Sequence, residues 1–331
     1  MAVQGSGSPV NRSLEAELRG IDSGLQRLLL AIAESVASVS QLFQTSSADK
    51  LTGGVNPSGD KQLLADLQAD EVIFRNLKES GVVSLACSEE QPDVVHTGGS
   101  GYCVAFDPLD GSSIYGANWA VGSIFGVWPG DHLIGRTGRE QSAAAYALYG
   151  PKTLLVVARP DTSGGATAPL HAHGRNFVAQ EFVLCRGKDG APHEWVLSKE
   201  RLSVKERKVF APANMRCAAD NEQYRQLLAH WIESRYTLRY SGGMVPDVHH
   251  VLIKGGVFCS PSSPSAAAKL RLLFECAPMS LIVEAAGGRA ICESGPLLDK
   301  IVEDTDQRTT ICVGSGSEVD KCRAAMGAPA Q

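Results

Sequence analysis

Val104, Ala105 and Phe106 form an apolar run that stops abruptly at Asp107-Pro108-Leu109-Asp110-Gly111-Ser112-Ser113. The apolar residues read as a short buried strand, with two carboxylates at its end, three residues apart. Acids set hard against a buried strand are costly unless they are paired or bind a cation. Pro108 stiffens the turn between them, and Gly111 permits a bend that aims backbone N–H groups at an anion. Carboxylates gather hard divalent cations, and free N–H groups after a glycine gather phosphate. One loop thus carries donors for a metal ion and for the phosphate it would activate. Asp, Pro, Gly and Ser are also ordinary turn residues, so the loop by itself leaves a plain surface turn open.

The rest of the chain predicts a layered α/β protein. Leu14, Leu18, Ile21, Leu25, Leu28, Leu29, Ile32, Val36 and Val39 recur at helical spacing, which predicts one long amphipathic helix. Residues 45–60 carry Ser, Gly, Asn and Pro without apolar period and read as a long loop. A second helix is expected over 60–80 on Leu63, Leu67, Phe74 and Leu77. Strands are expected over 82–87, 121–128, 153–158, 177–185 and 209–211, with a loop or hairpin over 161–168. Residues 223–234 read as a helix, and 248–253 with 257–259 as a helix followed by a strand. Residues 269–286 are helical by content, and Pro278 should split them. A charge-rich stretch from Lys199 to Lys208 suggests two intimate subdomains, 13–200 and 201–323, with disordered tails over 1–12 and 324–331.

Composition excludes some classes. The formal net charge of -5 over 331 residues argues against a nucleic-acid binder. No apolar run approaches the roughly 20 residues of a membrane span, so no membrane partner is expected. The nine cysteines are odd in number and scattered, with no Cys-x-x-Cys. They favour a reducing, cytoplasmic setting and disfavour structural zinc. Residues 1–12 lack the apolar core of a secretory signal, and the last residues are no peroxisomal address.

Acids recur at element ends in Asp60 and Asp66, Glu89 and Glu90, and Glu275. Taken singly, each has a plain explanation: an N-cap at Asp60, solvated loop charge at Glu89-Glu90, a helical ion pair between Glu275 and Arg271. Together they follow a pattern. Gly59-Asp60, Asp66, Ser88-Glu89-Glu90, Asp107-Pro108-Leu109-Asp110-Gly111-Ser112 and Lys269-Leu270-Arg271-Leu272-Leu273-Phe274-Glu275-Cys276 occur in one order across nearly the whole chain. This set resembles the magnesium-dependent, lithium-sensitive sugar and inositol phosphatases. Residues 106–113 followed by 121–128 are similar to the fructose-1,6-bisphosphatase and sedoheptulose-1,7-bisphosphatase branch. The segments 128–131 and 236–248 look more like the sedoheptulose side of that branch.

The resemblance implies an α-β-α-β-α sandwich of the sugar phosphatase type and hydrolysis of a sugar bisphosphate. Glu89, Glu90, Asp107, Asp110, Glu275 and the Leu109 carbonyl would hold magnesium, or manganese in its place. Asp60, Asp66 and Glu90 would activate and deprotonate water. Gly111, Ser112 and Ser113 would cradle the reacting phosphate. Gly242 and Met244 would offer backbone contacts to the sugar, Lys269 would touch the sugar phosphate, and Tyr240 would take the remote phosphate. Arg239 would reach that phosphate across a subunit boundary, which implies a homodimer or homotetramer. Without the resemblance, Tyr240, Arg239 and Lys269 read as a core tyrosine, a solvated arginine and a helix-face lysine.

There are departures. The plastid enzymes of the branch carry a regulatory cysteine pair just before the Gly-Asp, and residues 50–59 here have none. Gly101 stands where the AMP-inhibited fructose enzymes have lysine. Ser260 stands where those enzymes place a phosphate-binding tyrosine, which leaves it open as a determinant of sugar length or as neutral drift at a site rim.

Overall fold

The computed structural model describes residues 12–45, 51–55, 61–162, 176–185, 187 and 193–327. Strand alternation sorts its buried side chains into layers. Along Tyr102–Asp110, Val104 and Phe106 face one way, against the helices Ser23–Thr45 and Leu64–Glu79. Cys103 and Ala105 face the other way, into a core shared with the helices Met244–Lys254 and Ala277–Ala285. Those two helices also cover Ala211, Phe258, Ala290 and Val313 of a second sheet. The far face of that sheet, with Phe210, Val257, Cys259, Ile291 and Cys312, packs on the helices Glu222–Glu233 and Gly316–Met326. The layers are therefore helix, sheet, helix, sheet, helix.

Among the described residues the first sheet has eight strands, in the order Glu194–Lys199, Phe177–Cys185, Thr153–Pro160, Ala143–Tyr149, Val121–Pro129, Tyr102–Asp110, Val83–Ser88 and Val95–His96. Its neighbours are antiparallel except for Val83–Ser88 and Tyr102–Asp110, which run parallel. The second sheet has six strands, with Val209–Pro212 and Val257–Ser260 parallel and Ile311–Gly314 antiparallel to the latter.

Several expectations need correction. The first helix is two. Leu14–Glu17 ends in a turn at Gly20, whose φ of 88° suits glycine, and Asp22 then caps Ser23–Thr45 by accepting from the Leu25 N–H at 2.9 Å. Ser23–Thr45 is also long and apolar enough to cross a membrane, contrary to the reading that no run approaches that length. Its Leu25, Leu28, Leu29, Ile32, Val36 and Val39 are all buried against the sheet, as in a core helix. The expected loop over 45–60 contains a strand, Leu51–Val55, paired with Lys61–Leu63. Lys61–Leu63 takes the place of the first helical turn, so the second helix begins at Leu64, where Asp66 accepts from the Leu63 N–H at 2.7 Å. Asp60 lies outside the described residues, as does most of the expected loop over 161–168.

Residues 269–271 are not helical. The chain makes a π-turn over Leu272–Cys276 before Ala277–Ala285, with Pro278 in the first turn, where its missing N–H costs nothing. The expected C-terminal tail starts too early, because Gly316–Met326 is a helix with Ala325 and Met326 buried. At the other end, Arg12 is tied to Glu17 and Glu200. Residues 1–11 and 328–331 lie outside the described residues.

Gly122 lets the two halves meet. A Cβ there would lie 2.5 Å from Cβ of Val245, in the first turn of Met244–Lys254. Gly122→Ala should therefore destabilise the protein by about 1–3 kcal/mol, since a packed helix cannot yield to an added methyl group. Chemical denaturation checks this, and an unchanged midpoint would contradict the close approach.

Candidate active site

The parity of the strands builds the site. Leu85 and Cys87 face the central helices, so Glu89, two residues on, continues on that side. Cys103 and Ala105 face the same way, and Asp107 continues their series. The two strands run parallel with Ser88 opposite Phe106, so Glu89 and Asp107 emerge side by side at their carboxyl ends. Glu275 enters from the π-turn of the central layer. Carboxylate oxygens of Glu89, Asp107 and Glu275 all lie within 4.8 Å of one another.

The π-turn aims Glu275. Its i+5 bond runs from the Cys276 N–H to the Arg271 carbonyl at 2.9 Å, and the Glu275 carboxylate accepts from the Arg271 N–H at 2.6 Å. Arg271 itself is buried, and its guanidinium donates to Glu89 at 2.6 Å and to Asp306 at 3.4 Å. The sequence reading paired Arg271 with Glu275 through its charge. The hydrogen bond to Glu275 uses the Arg271 backbone, while the guanidinium donates to Glu89 and its positive charge also pulls the Glu275 carboxyl down.

Asp110 sits one turn beyond. Its carboxylate accepts from the Met244 N–H at 3.0 Å and the Val245 N–H at 2.6 Å, the first unpaired donors of Met244–Lys254. The Met244 N–H is thus already engaged, and so is that of Gly242, which donates to Asp247 at 3.2 Å. Asp247 also accepts from the Ser241 N–H at 2.7 Å and so fixes the loop that carries Tyr240. The sugar contacts expected of Gly242 and Met244 are left to their other atoms.

On the other side, Asp66 and Asp70 lie one helical turn apart on the buried face of Leu64–Glu79. Gln91 donates to Asp70 at 2.7 Å, tying the loop after Glu89-Glu90 to that helix. Asp70 and Asp247 are the residues that sequence reasoning missed, and Arg271 is placed by it only as a partner of Glu275. The i, i+4 spacing of Asp66 and Asp70 was the available signal for the first. Nothing in sequence distinguishes a buried Arg271 from a solvated one.

Gly111 has a φ of 88° and starts the short helix Ser112–Tyr115, with Ser112 half-buried and Ser113 exposed. Leu109 is buried, and its N–H donates to Asp107 at 2.9 Å. Tyr240 is exposed and close enough to Asp110 to feel its charge. Arg239 is exposed, with its guanidinium on the Leu238 carbonyl at 2.7 Å, and Lys269 is exposed on a non-helical segment rather than on a helix face. Ser260 is buried at the end of its strand, not at a rim, so a tyrosine there would first have to find space in a packed core.

Burial pushes the Asp107 carboxyl well up, and the charges of Glu89, Glu275 and Asp110 add to it. Burial and Glu89 raise Glu275 likewise. Burial raises Asp110 to about 6 against the pull of its two N–H donors. Burial, then Glu90, Glu89 and Asp70, raise Asp66 to about 7 although the Leu63 N–H opposes the shift. So many buried acids beside one buried arginine call for a cation or for protons. Hard oxygen donors this close together fit a divalent metal ion, and they do not fit a soft one.

Two family models divide the chain: "Fructose-1-6-bisphosphatase, N-terminal domain" matches residues 10–172, and "Fructose-1-6-bisphosphatase, C-terminal domain" matches 204–327. The chain belongs to the fructose-1,6-bisphosphatase family. It is a metal-dependent sugar bisphosphatase, a hydrolase of phosphoric monoesters. It is 44% identical over 301 residues to the chloroplastic sedoheptulose-1,7-bisphosphatase of Chlamydomonas reinhardtii, covering 90% of this chain and 72% of that one. It is 34% identical over 310 residues to the class 1 fructose-1,6-bisphosphatase of Syntrophotalea carbinolica, covering 91% and 88%. The crystal structure of Leishmania major fructose-1,6-bisphosphatase in holo form superposes with a TM-score of 0.83 at 29% identity, over 96% of this chain and 99% of that one.

The raised carboxyls of this family site have a stability consequence. Asp66 titrates at about 7 when folded, against an ordinary 3.8, so between those values the folded state keeps a proton that the unfolded chain has lost. Stability of the metal-free protein therefore falls as pH rises through that window. Calorimetry in EDTA should show Tm decreasing from about pH 5 to about pH 8, and a divalent cation should restore it at the upper end. A Tm that climbs with pH in EDTA would contradict the buried acid cluster.

Proposed function

We propose that this protein removes the 1-phosphate of sedoheptulose 1,7-bisphosphate, using magnesium, with manganese able to replace it. The observation that carries the reaction is the convergence of Glu89, Asp107 and Glu275 within 4.8 Å at the end of a strand that turns directly into Gly111-Ser112. The choice of sugar is supported by the 43–44% identity to sedoheptulose-1,7-bisphosphatases against 34–35% to class 1 fructose-1,6-bisphosphatases.

Glu89, Glu90, Asp107, Asp110, Glu275 and the Leu109 carbonyl are the residues that would hold magnesium. Bound there, the ion would draw charge from the phosphoryl oxygens and ease departure of the sugar oxygen. The N–H groups of the first turn at Gly111, Ser112 and Ser113 have no helical partner and would orient the reacting phosphate. Asp66, held near neutrality at about 7, is suited to take a proton from the attacking water, with Glu90 and Asp60 positioning that water. Tyr240, Arg239 and Lys269 are exposed and would hold the remote phosphate, with the Asp247-bound loop setting the distance from the reacting end.

Phosphate release should be faster, by kcat/KM, on sedoheptulose 1,7-bisphosphate than on fructose 1,6-bisphosphate, and EDTA should abolish both. Asp107→Asn should lower kcat by about 10²–10³-fold or more, because a fixed charge beside the transferring group is lost. Higher kcat/KM on the six-carbon sugar would reassign the substrate, and near-normal turnover of Asp107→Asn would reject the site.

We also propose that the protein works as a homodimer or homotetramer. The support is the exposure of Arg239 on the edge segment Thr237–Leu238 and beyond, where it could serve a neighbouring copy's site. Sedimentation should show a dimer or larger at assay concentrations. A fully active monomer would refute it.

A further inference from the structure

A second cluster of donors lies on the far side of the second sheet, away from the acids. Cys259 and Cys312 are directly opposed in register on Val257–Ser260 and Ile311–Gly314. Strand alternation points both away from the central helices and toward Gly316–Met326. That helix presents Cys322 and, one turn later, Met326 to the same spot. The three thiol sulfurs all lie within 4.8 Å of one another, and Sδ of Met326 is 3.5 Å from Sγ of Cys259. All three cysteines are fully buried. Four sulfur atoms from three elements thus converge on one point.

We propose that Cys259, Cys312, Cys322 and Met326 form a soft-metal site that takes one Cu(I) ion. Three sulfurs around one ion at about 2.3 Å stand about 4 Å apart, a spacing compatible with the 4.8 Å within which these three already lie. Among the described residues, no histidine or carboxylate joins these three cysteines in the metal-capable group. The donor in direct contact with Cys259 is the Met326 thioether, which suits Cu(I) and is a poor ligand for Zn(II). Binding moves no electrons: each thiol that becomes a thiolate ligand releases one proton, and Cu(I) stays Cu(I). Entry requires Gly316–Met326 to part briefly from the sheet, so loading is slow, on the scale of local opening. The site owes nothing to the hydrolytic centre, and its occupancy is independent of the sugar on which that centre acts.

The test is anaerobic titration of the whole, fully reduced protein with Cu(I) in the presence of a chromogenic Cu(I) chelator. The protein should retain one ion per chain against the chelator, show an ultraviolet thiolate-to-copper band and gain in Tm. Cys259→Ser should lose the ion, and Met326→Leu, which keeps the packed volume, should hold it more weakly. Cys185→Ser, at the exposed cysteine, should bind as the parent does. Circular dichroism confirms that each variant is folded, and Met326→Leu decides the matter if Cys259→Ser is not. The proposal is overturned if no ion is retained, if retention survives both variants, or if Zn(II) is held in preference. It is also overturned if mass spectrometry shows that copper treatment only joins Cys259 to Cys312 as a disulfide.

Discussion

Repulsion among buried carboxylates is the constraint around which this molecule is arranged. Glu89, Asp107 and Glu275 are brought within 4.8 Å by three different elements, with Asp110, Asp66 and Asp70 around them. Each would rather be apart. They stay together because the backbone around them is committed elsewhere: a parallel strand pair, a π-turn closed on Arg271, and a helix whose first N–H groups end on Asp110. The fold supplies the energy that keeps these carboxyls buried at one point, and a divalent cation bound there would return part of it.

Asp110 links chemistry to architecture. Its carboxylate belongs to the last residue of the strand Tyr102–Asp110 in the first sheet, while its hydrogen-bond donors belong to the helix between the two sheets. Gly122 allows that helix to come close enough, and Asp247 on the same helix shapes the loop bearing Tyr240. The acid cluster and the loop that bears Tyr240 are therefore set by one helix. A shift of that helix would change both together.

The acids were legible in sequence because each sits where an apolar run stops, and period-two alternation then puts Glu89 and Asp107 on one face. The five layers were legible only through resemblance. The strand Ala143–Tyr149 carries little strand signal, since Ala143, Ala144, Ala145 and Ala147 have helical propensity. Small residues are needed there because the strand is buried on both faces under packed helices. Arg271 looked like a helical partner for Glu275, because a π-turn and an α-helix share composition. The long first helix was misplaced because Gly20 and Asp22 interrupt its period without disturbing its hydrophobic count. Ser260 looked like a rim residue, since burial at a strand end depends on the neighbouring strand Ile311–Gly314.

The π-turn has a consequence for biosynthesis. Glu275 comes more than 160 residues after Asp107 in a chain read out from one end, at about 5–20 residues per second. For several seconds on the ribosome, the first sheet can assemble with Glu89 and Asp107 in place but without their third partner. A half-built cluster holds a divalent ion weakly and is free to release it. On the metal assignment proposed above, only when the segment through Glu275 has emerged and docked would the cation gain its full set of oxygens. Metal capture would then act as a late ratchet, favouring the complete chain over any fragment of it.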